Sequence, residues 1–153
     1  MKLGDVLKKE REKKGLSVDE VAEGLGISSD EYTEIEAGET PAEAWGPNLA
    51  QIAIELETPT SRLLAESGRF SDTNQGQAGP LIKGHRERRE KSAAELAEAL
   101  KMSEEEYGEI EAGNSPVEKY GPLFLGFAEA IEQPVFNLFY PCGLPFQELD
   151  DYP

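Results

Sequence analysis

The chain has 153 residues, a formal net charge of −16 and a sequence pI of about 4.4. That charge makes it soluble and strongly anionic, and disfavours nucleic acid and anionic membrane as partners unless its few cations are concentrated in one place. A single cysteine, Cys142, excludes an internal disulfide, and no apolar run reaches membrane-spanning length. With a charged amphipathic segment instead of a signal peptide at the start, the expectation is a cytoplasmic protein.

In chain order, Leu3, Val6 and Leu7 followed by Lys8-Lys9-Glu10-Arg11-Glu12-Lys13-Lys14 predict a first helix, apolar early, basic late and stopped by Gly15. Ser17 with Glu20 three residues on has the capping-box pattern, and Val21, Ala22 and Leu25 form the stripe of a second helix. After the turn at Gly26-Ile27, Ser28 with Glu31 repeats that start signal, and Ala37-Gly38 closes a third helix. Tyr32 and Ile35 face inward, leaving Asp30, Glu31 and Glu34 expected to face out. Ala42 to Leu56 predicts a fourth helix, with Trp45 as a core anchor at its start, and Thr60 to Ala65 a short fifth. Five short helices leave no room for strands.

The third-helix segment returns 75 residues later as Ser103 to Gly113, and the register holds without a gap from Arg11 and Arg86 to Pro59 and Pro134. This is an internal duplication. The predicted architecture is all-α: two tandem five-helix domains with pseudo-twofold symmetry. The first spans residues 1–66, a polar, Gly-rich linker 67–80, the second domain 81–140 and a Pro-rich tail 141–153. The second copy is greasier: Leu123, Leu125, Phe127, Val135 and Phe136 stand where the first has Asn48, Ala50, Ile52, Thr60 and Ser61. Such apolar surplus means a covered face, and the sequence leaves three covers open: the first copy, the tail, or a second chain in a homodimer.

Arg11 four residues before Gly15, then Leu16 to Ala22, Gly26-Ile27-Ser28, Ile35 to Gly38 and Leu49-Ile52-Ala53, resemble the phage-repressor (Cro/CI-type) helix-turn-helix family. Ser92 to Ala97, Met102-Ser103 and Ile110 to Gly113 resemble it again in the second copy. The resemblance implies a structural ion pair between Arg11 and Glu36, and between Arg86 and Glu111. It also implies DNA binding with the third helix in the major groove. The matched positions depart from that role. The polar residue the family favours at the start of the second helix is Val18 or Ala93. The base-reading positions are Ser29, Asp30, Glu31 and Glu34, or Glu104, Glu105, Glu106 and Glu109. One acid can accept from cytosine, but three on one face repel the duplex. No Lys or Arg lies between Gly15 and Ser61, so the cation-driven term of DNA affinity is missing there.

The expected function is therefore a non-enzymatic regulator or adaptor. Asp30, Glu31, Glu34, Glu105, Glu106 and Glu109 would meet a basic protein surface or imitate DNA to occupy a DNA-binding protein. The alternative is a transcriptional regulator binding DNA through the duplicated helix-turn-helix or through a dimer formed by the second copy; Leu123, Leu125, Phe127 and Phe136 are the candidate oligomer or partner face. His85 is the single histidine and Glu104-Glu105-Glu106 lacks calcium-loop spacing, so no cofactor, metal or catalytic residue is expected.

Overall fold

The computed structural model describes residues 2–64, 73–132, 138 and 140–142, and those residues are helical, with no strand among them. The helices are α1 (Leu3–Lys14), α2 (Val18–Leu25), α3 (Ser29–Glu36), α4 (Ala42–Glu55), α5 (Thr60–Leu63), α6 (Ala78–Arg88), α7 (Ala93–Ala99), α8 (Glu104–Glu111) and α9 (Val117–Ile131). A short 3-10 turn at Tyr140–Cys142 packs on α1.

Local chemistry accounts for most boundaries. Ser17, Ser28, Ser92 and Ser103 each accept the N–H of the residue three ahead, which satisfies a donor that the helix cannot. Gly15 and Gly26 end α1 and α2 at φ of 76° and 72°, a left-handed conformation natural to glycine.

The starts of α1 and α6 depend on more distant groups. The carboxylate of Glu43 on α4 accepts the Gly4 N–H at 2.7 Å. Glu118 on α9 accepts the N–H groups of Ala78 and Gly79 at 3.1 and 2.7 Å. An acidic side chain from another helix thus supplies the negative charge favoured at each N-terminus. This is why α6 begins at Ala78, three residues earlier than the Leu81 start read from the sequence. Pro80 falls in the first turn, where its missing N–H costs nothing. The centre of the expected linker, 65–72, lies outside the described residues.

α1 packs on α3 and α4, and α2 on α3; α6 packs on α8 and α9, and α7 on α8. The contacts that join the halves fall mainly on α4 against α9, α2 against α9 and α4 against α7. Under the 75-residue offset α4 corresponds to α9 and α2 to α7, so the last two contacts are the same contact with the halves exchanged.

The covered face of the second half has its explanation here. Leu123, Phe124 and Phe127 are buried beside Leu7, Leu25, Tyr32 and Ile35 of the first half, and Leu125 is likewise buried within the chain. Each such side chain removed from water contributes about 1.5–3 kcal/mol. The first half is thus the cover of Leu123 and Phe127 and Leu125 is buried within the chain, which corrects the reading of these three as a free oligomer or partner face. A single small half buries too little surface to stand easily alone, so the greasier helix is where the two combine. Phe136 and Val135, the expected fifth helix of the second copy and the tail from 143 onward lie outside the described residues.

Candidate functional site

The geometry of the α2–α3 unit is set by one turn and two ties. Gly26 lets the chain reverse after α2, and the N–H of Ile27 closes back on the carbonyl of Ala22 at 3.0 Å. The Ser29 hydroxyl then donates to the Asp19 carboxylate at 2.5 Å, fastening the first turns of the two helices together. From behind, Arg11 donates to both oxygens of Glu36, at 2.7 and 3.2 Å, and to the Leu16 carbonyl at 2.9 Å. One guanidinium so joins the end of α1, the entry to α2 and the end of α3. Bidentate, charge-assisted bonds of this kind are the strong class.

The second half repeats this arrangement. Arg86 donates to both oxygens of Glu111 at 2.6 and 3.0 Å and to the Lys91 carbonyl at 2.9 Å. The Glu36 and Glu111 side chains are only 9% and 12% exposed, so these pairs are structural. The hydroxyls of Tyr32 and Tyr107 are buried beside them without a hydrogen bond of good geometry. Burial first, and the adjacent carboxylate second, push both phenols well above their ordinary pKa.

The outward faces carry the candidate site. On the first unit Asp19, Glu20, Glu23, Asp30, Thr33, Glu34 and Glu39 are exposed, and no Lys or Arg interrupts them. On the second, Glu95, Glu98, Glu104, Glu105, Glu106 and Glu109 are exposed, with Lys101 at the turn. Glu109 is held by the Asn114 side-chain amide at 2.9 Å. Two members of the expected face behave differently from each other. Glu106 closes the capping box on Ser103, whereas Glu31 is only 29% exposed and pairs with Lys119 on α9. The expectation that Glu31 faces freely outward is therefore corrected: the second half supplies a cation to it.

Cations gather on α1 and α6, where Lys8, Lys9, Lys13, Lys83 and Arg88 are exposed. Lys14 reaches across to Glu132 at the end of α9 at 2.5 Å. Trp45 is half-buried at the edge of the core, while its counterpart Tyr120 is buried. Cys142 is partly buried with its sulfur 3.6 Å from the Leu138 carbonyl, and burial pushes its thiol pKa up. Among the described residues no group of three His, Cys, Asp or Glu is placed to hold a metal, and no helix is long and apolar enough to cross a membrane.

The Glu43 and Glu118 caps are functional to the fold and were missed in the sequence. Their signal is there: both acids, and the glycines they cap, recur at the same 75-residue offset.

No curated protein and no solved structure matches the chain. Residues 2–52, which run from α1 into α4, match the family model of a helix-turn-helix domain. Over that third of the chain the sequence is similar to a helix-turn-helix domain, which is consistent with a regulatory role.

Proposed function

We propose that the protein is a non-enzymatic cytoplasmic regulator or adaptor. In this reading it is built from two tandem Cro/CI-type helix-turn-helix domains related by a pseudo-twofold axis. Its acidic α2–α3 and α7–α8 faces dock on a basic protein surface, including the DNA-binding groove of another protein. The observation that carries this reading is the absence of any Lys or Arg from 16 to 61, a span that includes α2 and α3, where Asp19, Glu20, Glu23, Asp30, Thr33 and Glu34 stand outward instead. Affinity for a duplex comes largely from cations that displace counterions, with log K falling by roughly 0.9 per contact per log unit of salt. A face without cations lacks that term and adds repulsion. The ties from Arg11 and Arg86 keep each head rigid, which suits a preorganised docking surface.

The second reading, operator binding, is favoured by the helix-turn-helix match over residues 2–52. Titrating the full chain at low salt against fluorescent duplex DNA and, separately, poly-L-lysine distinguishes the two. The docking reading expects no duplex binding and salt-sensitive poly-L-lysine binding that Glu34→Lys and Glu109→Lys weaken. Duplex binding with a steep salt slope would replace it with the operator reading.

A further inference from the structure

The two acidic helices start from the same local sequence logic, yet they end in different states. In α8, Ser103 accepts the Glu106 N–H at 3.1 Å, and the Glu106 carboxylate returns to the Ser103 N–H at 3.4 Å and its hydroxyl at 3.2 Å. In α3, Ser28 accepts the Glu31 N–H at the same 3.1 Å, but the returning half of the box is missing. The Glu31 carboxylate has turned to Lys119. Lys119 belongs to α9, and the residue at its offset in the first half is Ala44, so α8 has no lysine at the matching place to draw Glu106 away.

The surroundings favour the crossing. Lys119 lies 5.6 Å from the centre of the Tyr120 ring, whose face favours a cation. One residue after Glu31, Tyr32 stacks on Phe127 of α9 with ring centres 6.4 Å apart. The α3 backbone is thus already held against α9 where the ion pair forms. The proximity of Glu31 also raises the Lys119 ammonium pKa, chiefly through its hydrogen bond to the carboxylate.

We propose that Lys119 is a latch: it holds Glu31 off the outward face of α3, leaving α8 as the fully acidic head, and its release returns Glu31 to a capping box on Ser28. Glu31 has two partners within reach, one local and one in the other half, and occupying one vacates the other. Loss of the Lys119 charge, or its capture by a competing anion, therefore both loosens the contact of α3 with α9 and restores a carboxylate to the first head. The consequence for docking rests on the acidic-face reading above; the latch itself does not.

The test is amide hydrogen exchange on the full chain, resolved by NMR, with the Ser103 amide as internal reference. In the unmodified protein the Ser28 amide is expected to exchange faster than that of Ser103. Lys119→Ala should slow the Ser28 amide roughly two- to tenfold, the effect of gaining one hydrogen bond. Glu31→Gln should slow it as well, because glutamine also closes the box but gives up the ion pair. Equal protection of Ser28 and Ser103 at the start, or an unchanged Ser28 amide in either variant, overturns the latch. Poly-L-lysine titration reads the docking proposal alone, so the two fail separately.

Discussion

Where the first half ends α1 and α2 on Gly15 and Gly26, the second half places Glu90 and Lys101, and all four residues have φ between 54° and 76°. The pattern extends to Glu57 and Glu132, with φ of 49° and 56°. A left-handed backbone costs an ordinary L residue roughly 1–2 kcal/mol, so nothing in the Glu90 or Lys101 side chain favours it. At these two helix ends the second half accepts strain that glycine spares the first, while Glu57 and Glu132 carry it in both halves. The difference runs the other way in the fourth helices. α4 carries Asn48 and Ile52 where α9 carries Leu123 and Phe127; both helices meet the other half, α9 against α1, α2 and α4, and α4 against α7 and α9. The second half thus combines local strain with the more apolar fourth helix.

The largest expected effect is Phe127→Ala, which should cost about 3–5 kcal/mol in urea unfolding, against about 2–5 kcal/mol for Ile52→Ala at the matching place. Equal small effects would mean that α9 is not the stronger side of the contact. Next come Gly4→Ala and Gly79→Ala. A Cβ at Gly4 would lie 2.3 Å from the Glu36 carbonyl oxygen, and one at Gly79 2.6 Å from that of Ile110. Each obstacle is backbone, so about 3 kcal/mol is expected in both halves. A tolerated alanine in one half alone would show that the two α1-type helices do not seat alike.

Arg86→Ala should cost about 1.5–3 kcal/mol, the range of a hydrogen bond to a charged group. It should also alter the acid limb. Burial acts to raise the Glu111 carboxyl pKa, but the hydrogen bonds from Arg86, and after them the nearby Tyr107 hydroxyl, outweigh it and hold the pKa below the ordinary value. The unfolded chain therefore binds more protons than the folded one below about pH 4.3, and this stability is present above that value and lost as pH falls further. Urea midpoints between pH 5 and 3 should decline less steeply in Arg86→Ala than in the parent; an unchanged slope would remove Glu111 as a source. The smallest effect is a gain. Glu90→Gly and Lys101→Gly, which give the second half the glycines of the first, should each stabilise by about 1 kcal/mol. A loss in either would mean that the side chain makes a contact worth more than the strain.

Much of the fold was legible because it depends on groups three or four residues apart. Ser17, Ser28, Ser92 and Ser103 announce helix starts, and Gly15, Gly26, Gly38 and Gly113 announce stops, by bonds a short peptide would also make. The 75-residue repeat carried the order of α1 to α4 over to α6 to α9. The outward acids of α8 were legible for the same reason, since periodicity alone fixes which side of a short helix faces the core. The start of α6 was misplaced because Ala78-Gly79-Pro80 looks like loop chemistry until Glu118 is brought to its N–H groups.

By itself, then, the sequence determined the helices and the separation of acids on α3 and α8 from cations on α1 and α6, since each follows from short-range bonding and periodicity. Only the tertiary structure decided that the first half covers Leu123 and Phe127, and that Lys119 removes Glu31 from the open face. The physical reason is range. An apolar stripe states that it will be buried but not by what, and a carboxylate with a serine beside it cannot announce a lysine that folding delivers from a distant helix.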